Sequence, residues 1–252
     1  MPGIRILAIH AHPDDAESLA GGTLALLADR GHAVTIATFT PGDCGSQELG
    51  PEETARVRRA EATAAAARIG ARYVCLEFRD LVIFNDDDAR RRVVEALRLA
   101  RPAIVLAAAP VDYHCDHEAA SALVRDACFA APAPNYRTGS APLDGIPHLY
   151  YMDPVDGRDR ENRVVRPDFV VDVSAAFERK RAMLAEHASQ REWLRWQHGI
   201  DEYLGNMERG TRERGALAGV AYGEGFRQYQ GHPYPRTGLL QELLEGAVAE
   251  VR

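Results

Sequence analysis

Over its first 130 residues the sequence alternates between short apolar runs and helix-forming segments with little interruption. Ile4 to His12 is rich in Ile, Leu and Ala, as expected of a strand buried on both faces. A helix pattern runs from about Glu17 to Arg30 and stops at Gly31, a C-terminal cap. Ala33 to Thr40 reads as the second strand, and the Ala-rich segment Thr54 to Ile69 as a helix closed by Gly70. Tyr73 to Phe78 is the third strand, and Asp88 to Arg101 is a helix ending before Pro102. Ala103 to Ala109 is the fourth strand, followed by a helix over His117 to Ala130. Such repetition predicts a parallel sheet with right-handed crossovers. The expected fold is therefore α/β, a Rossmann-like three-layer sandwich with a mostly parallel sheet whose first four strands take the order 3-2-1-4.

After Pro132 the character changes. Pro and Gly cluster up to Pro147, and two more strand candidates follow, His148 to Asp153 and Phe169 to Val173. Ser174 can cap a helix running to about Trp196, and Gly199 to Tyr234 reads as helix mixed with loops. There is no internal repeat and no evident linker, so residues 1–252 are expected to form a single domain.

The net charge of −7 argues against nucleic-acid or anionic-membrane partners. Two basic runs, Arg56, Arg58, Arg59 and Arg90, Arg91, Arg92, sit among acids and Ala in helical segments, where a solvated face is the default reading. Cys44, Cys75, Cys115 and Cys128 form no CxxC pair, which points to a reduced, cytoplasmic protein. No apolar run approaches the ~18 residues needed to span a bilayer. Met1-Pro2-Gly3-Ile4-Arg5 lacks the regions of a signal peptide.

Two His/Asp clusters stand where the chemistry would be. His10-Ala11-His12-Pro13-Asp14-Asp15-Ala16-Glu17 ends strand one, and Asp112-Tyr113-His114-Cys115-Asp116-His117 follows strand four. In a 3-2-1-4 sheet these strands are neighbours with crossovers leaving on opposite sides, and α/β folds place ligands in that crevice. Clusters about 100 residues apart in sequence would thus converge at the C-terminal ends of strands one and four. Two His and one Asp make a set that leaves a position open for water, as a catalytic zinc requires. The remaining carboxylate, Asp14, can then act as general base. His114, protonated, could stabilise an oxyanion or protonate a leaving amine, with Asp116 orienting it and raising its pKa. Tyr113 could add a hydrogen bond.

Each cluster has a plainer reading. His-Pro-Asp-Asp could be a loop with an Asp cap, and His114 and His117 could be surface residues at a helix start. Cys115 could be a ligand, but a packing role in a tight loop suits an open site better. Gly21-Gly22-Thr23 does not match a dinucleotide fingerprint and suits close helix packing.

AHPDDAE followed by LAGGTLA, with DYHCDH about 100 residues on, resembles the LmbE-like or PIG-L deacetylase family, most specifically over residues 4–120. The resemblance implies a zinc-dependent hydrolase releasing acetate from N-acetylglucosamine derivatives. Its metal ligands would be His12, Asp15 and His117, its general base Asp14, and its oxyanion-stabilising or acid residue His114, with Asp116 beside it. Arg58 and Glu61 match an R-x-x-E pattern whose arginine reaches the sugar, and Asp80 matches an acidic residue of a sugar-hydroxyl loop. Alternative readings for both are a helix-face charge and a loop-turn residue. Cys115 stands where Pro is usual, which would leave the loop less fixed and allow alternative conformers of His114.

His187 is expected to be a structural, hydrogen-bonding histidine, and Tyr222 to Phe226 with His232 a pocket rim. Fe²⁺ and Co²⁺ suit the same donors as zinc. The resemblance further implies a homo-oligomer, trimer or hexamer, acting on a small amino-sugar substrate without membrane or nucleic-acid partners. The alternatives are an amidase or esterase for another acyl conjugate, such as a thiol conjugate, and a non-catalytic sugar- or nucleotide-binding module.

Overall fold

A computed structural model describes residues 3–199 and 201–251. Met1 and Pro2, part of the reading that no signal peptide is present, lie outside the described residues, as do Ile200 and Arg252. The strands are β1 (Arg5–His10), β2 (Ala33–Thr38), β3 (Arg72–Cys75), β4 (Ile104–Ala107), β5 (His148–Met152), β6 (Phe169–Asp172), β7 (Gly223–Gln228) and β8 (Val248–Glu250). The helices are α1 (Asp15–Asp29), α2 (Pro51–Ala67), α3 (Asp87–Ala100), α4 (Cys115–Ala130), α5 (Phe177–Ala185), α6 (Ala188–His198), α7 (Tyr203–Ala218) and α8 (Leu239–Leu243).

All eight strands form one sheet in the order β3-β2-β1-β4-β5-β7-β6-β8. The first five are parallel, in the expected 3-2-1-4 arrangement extended by β5. β7, β6 and β8 continue the sheet antiparallel.

Side chains of the central strands alternate between two cores, because successive residues of a strand point to opposite faces. Leu7 and Ile9 of β1 and Val105 and Ala107 of β4 pack with α3 and α4, among them Val93, Leu97, Leu123 and Val124. Ile6 and Ala8 with Ile104 and Leu106 pack on the other face against Ala16, Ala20, Leu24 and Leu27 of α1 and Met183 of α5. Both faces are covered, which explains why these strands read as unbroken apolar runs. α1 and α4 therefore leave the ends of adjacent strands toward opposite layers, and the crevice between their first turns is the switch point of the sheet.

The local differences from expectation have physical causes. α2 begins at Pro51, a favoured first-turn residue. The helix expected from Ser174 to Trp196 is instead a 3₁₀ turn, α5 and α6, broken at Glu186–His187. His187 points its ring into the protein, which ends α5 there. Gly199 to Tyr234 resolves into the long helix α7 and strand β7, so Gly223 to Phe226 lies in the sheet. Gly22 packs where a Cβ would sit 2.6 Å from Val173 Cβ, the close approach that its lack of a side chain permits.

Candidate active site

β1 ends at His10, and the chain turns through Ala11–Asp14 into α1. Asp14 occupies the N-cap position with φ 97° and ψ −24°, left-handed backbone, and its side chain makes no capping bond. An ordinary Asp cap sits in the β region and accepts a helix N–H. Left-handed backbone at a non-glycine residue is costly and concentrates at functional sites. The loop-and-cap reading of His-Pro-Asp-Asp thus does not describe Asp14.

Asp15, first residue of α1, stands at the centre of the cluster. Its Oδ2 lies 3.4 Å from His12 Nδ1 and 3.4 Å from His117 Nε2. Donors on a tetrahedral ion at about 2.0–2.2 Å would be separated by roughly this distance, so Asp15 stands at ligand spacing from each of the two histidines. The histidines also have the carboxylate partners that metal-binding imidazoles usually have. His117 Nδ1 is 3.0 Å from Asp112 Oδ1. His12 Nε2 is 3.1 Å from Asp116 Oδ2, which also accepts the Leu81 N–H at 2.8 Å. His10 Nδ1 approaches Asp15 Oδ2 to 2.6 Å. Burial alone would lower the pKa of His12, but hydrogen bonds to Asp116 and Asp15 outweigh it and raise it to about 10. The same field that would hold a proton on His12 attracts a cation.

Asp14 is buried beside these groups, and its Oδ2 accepts a 2.5 Å hydrogen bond from the Tyr203 hydroxyl. Burial, then the neighbouring Asp15 charge, pushes its carboxyl up to about 6. His114 caps α4, and its Nδ1 accepts the Asp116 N–H at 3.1 Å. Nε2 is therefore the donor of the neutral ring.

The link between Asp116 and His114 runs through the backbone rather than the side chain. The Asp116 carboxylate turns to His12 and Leu81 instead, and only its backbone N–H orients His114. The Asp116 charge does act to raise the His114 pKa, but burial, then the charges of His12 and His117, outweighs it and the net shift is downward. The loop that has Cys115 in place of Pro is tied by Asp112, which accepts the N–H groups of His114 at 3.1 Å and Val155 at 3.0 Å.

Arg58 differs from its neighbours in the basic run. Arg56 is exposed and Arg59 half-buried, paired with Glu53 and Glu77 respectively, whereas Arg58 is buried. It donates to the carbonyls of Gly42 at 3.1 Å and Pro13 at 3.2 Å, buttressing the turn that presents Asp14. Glu61 accepts from Ser189 N and Oγ, and so anchors the start of α6. Asp80 is buried: Oδ2 accepts the Cys44 N–H, while Oδ1 has no hydrogen-bond partner and lies 3.9 Å from His12 Nε2. Tyr113 is exposed and meets the His114 and His117 rings edge-on, with centroids 5.6 Å away in both cases.

These groups floor a cavity of about 1200 Å³. Its walls come from the C-terminal half: Asp153 to Asn162, Trp193, Leu194 and Tyr203 on the α6–α7 side, and Gly223 to Gly225 of β7. His187 is buried 3.3 Å from Glu17. His232 lines a separate depression of about 450 Å³ with Arg125, Tyr136 and Tyr234, away from this rim. Sequence reasoning gave no role to His10, Asp112 or Tyr203. The first two lie inside the two clusters and could have been found as partners for the ligands. Tyr203 lies 189 residues from the Asp14 it contacts, and no local signal marks it.

Residues 7–128 match the family described as PIG-L: GlcNAc-PI de-N-acetylase. The chain carries a domain of this PIG-L, or LmbE-like, deacetylase family. It is 29% identical to 4-oxalmesaconate hydratase of Pseudomonas putida over 73% of each chain. It is 28% identical to diacetylchitobiose deacetylase of Thermococcus kodakarensis, over 88% of this chain and 82% of that one. Among solved structures, a conserved protein of Thermus thermophilus matches 93% of this chain and 100% of its own length, with TM-score 0.76 and 26% identity. Among the described residues no helix is long and apolar enough to cross a membrane, and the four cysteines are free.

Proposed function

We propose that this chain is a zinc-dependent hydrolase that removes the N-acetyl group from an N-acetylglucosamine-type sugar or conjugate. The observation that carries the reading is the placement of Asp15 Oδ2 at 3.4 Å from both His12 Nδ1 and His117 Nε2, beside an uncapped, buried Asp14. A cation held by His12, Asp15 and His117 supplies Lewis acidity toward a substrate carbonyl; Fe²⁺ or Co²⁺ suits the same donors.

Asp14 accepts the proton of the attacking water and passes it to the departing nitrogen. His114 donates from Nε2 to the carbonyl oxygen as it gains charge. Asp112 and Asp116 hold His117 and His12 in their tautomers. Arg58 keeps the Asp14 turn in place at the sugar end, and Asp80 and Tyr113 offer polar contacts to sugar hydroxyls. A homo-oligomeric assembly in the cytoplasm belongs to the same reading.

The hydratase relative raises a second one, addition of water to a carbon–carbon double bond of an anionic substrate. The cavity lining favours the sugar, because it carries more Asp and Glu than Lys and Arg. Arg160, Lys180 and Arg214 are moreover already paired with Glu118, Glu224 and Asp153. A polycarboxylate would meet net repulsion there.

Acetate release from a panel of N-acetylglucosamine derivatives tests the proposal, with zinc-loaded wild type against Asp14→Asn. Release by wild type is expected, with turnover at least about 10²-fold lower in the variant, since a positioned general base contributes about 10²–10⁴-fold. Hydration of an unsaturated polycarboxylate without acetate release would decide for the second reading.

A further inference from the structure

We propose that Tyr203 positions the carboxylate of Asp14, so that helix α7 in the C-terminal half sets the general base in the N-terminal half. This rests on the reading of Asp14 as the base. Asp14 lacks the support that Asp gains at an ordinary helix start: its backbone is left-handed and its side chain caps nothing. Among the described residues its carboxylate receives one hydrogen bond, 2.5 Å from Tyr203 Oη to Oδ2. Oδ1 is left without a protein donor on a side chain that lines the cavity. A carboxylate with one oxygen fixed and one free can accept a proton from a water without having to choose its rotamer.

The tyrosine is well anchored for the task. Its ring packs with Phe177, Leu184 and Met207 in a small core cluster of its own. A buried tyrosine hydroxyl needs a partner, and here that partner is the ionisable group on which the chemistry depends. α6, which precedes it, has no buried residue. The Tyr203 hydroxyl is thus a polar tether from this wall of the cavity to the floor. Arg58 supports the Asp14 turn through the Pro13 carbonyl, so the base is held by one group on the preceding carbonyl and one on its carboxylate.

The test compares wild type, Tyr203→Phe, Asp14→Asn and the double variant, all zinc-loaded. Phe retains the packing ring, and thermal midpoints check that the fold is kept. In Tyr203→Phe, kcat should fall by about 10–100-fold, the size of a lost charge-assisted hydrogen bond. KM and zinc content should stay within about twofold. In the Asp14→Asn background the same substitution should change nothing further, because residues that act through one another are non-additive. An unchanged kcat in Tyr203→Phe, or an equal loss in both backgrounds, would overturn the proposal. Should Asp14→Asn alone turn over normally, the reading of Asp14 as the base fails instead. A crystal structure of zinc-loaded Tyr203→Phe gives an answer independent of turnover. The Asp14 carboxylate should leave its wild-type rotamer or split between two, and an unmoved carboxylate would contradict the tether.

Discussion

In the parallel half of the sheet, the residues proposed to carry chemistry sit within a few positions of the strand that presents them. His10 ends β1, His12, Asp14 and Asp15 follow it, and Asp112 to His117 follow β4. In the antiparallel half the residues facing the same cavity arrive from Asp153, α6, α7 and β7, scattered over some 70 positions. The first half builds a compact charged floor. The second builds walls, and reaches the floor through single long-range contacts such as Tyr203 to Asp14 and His187 to Glu17. Catalytic type should therefore follow from the first half and substrate choice from the second.

The largest effect that would test this division falls on the seam between the halves. Glu224 of β7 is buried with Lys180 of α5 at 2.6 Å, and its two oxygens accept the Gly22 and Thr23 N–H groups of α1. Glu224→Ala would leave the Lys180 charge buried without a counter-ion. The expected loss is about 3–5 kcal/mol in urea unfolding; a loss within 1 kcal/mol would mean that the halves are joined elsewhere.

Next in size is Asp112→Asn, on the parallel side. It weakens the hold on His117 and should lower zinc affinity by about 10–100-fold in a chelator competition, with little change in KM. An unchanged affinity would remove Asp112 from the site.

A smaller effect separates function from stability at the floor. The folded-state pKa of Asp14 is raised from 3.8 to about 6, first by burial and then by Asp15. An acid with a raised folded pKa costs stability when ionised: nothing below its unfolded pKa, progressively more as pH rises, and the full amount above its folded pKa. Asn carries no charge and tolerates left-handed backbone. Metal-free Asp14→Asn should therefore melt a few degrees above metal-free wild type at neutral pH, an advantage that shrinks toward pH 4. A lower melting point at pH 7 would show the carboxylate to be stabilising.

The smallest effect belongs to the walls. Trp193 lines the cavity and stacks on Trp196 at 5.0 Å. An indole offers the apolar face of a sugar ring a flat surface. Trp193→Ala should raise KM by about 3–10-fold at unchanged kcat. A fall in kcat alone would place this residue with the chemistry and blur the contrast.

The same contrast governs what could be read from sequence. The 3-2-1-4 order and both clusters were legible because buried parallel strands leave continuous apolar runs, and because the switch point lies at the ends of neighbouring strands. The role of Asp116 was not. Spacing placed its carboxylate near His114, but α4 begins at Cys115, so the backbone N–H of Asp116 meets His114 while the carboxylate faces His12. β7, with the sequence GEGFRQ, lacks the apolar alternation of a strand, since its glycines admit Gly215 of α7 and the Asp153 side chain. The α5–α6 break follows from the burial of His187 against Glu17, a contact 170 residues apart that no local pattern reports.

Anomalous diffraction from zinc-loaded crystals tests the central claim, that the ends of β1 and β4 jointly hold one metal ion. A single dominant peak about 2.0–2.2 Å from His12 Nδ1, an Asp15 oxygen and His117 Nε2 is the predicted result. A peak instead between His12 Nε2, Asp80 and Asp116, or at Asp43, Cys44 and Asp80, both groups with donors in reach of one another, would contradict it.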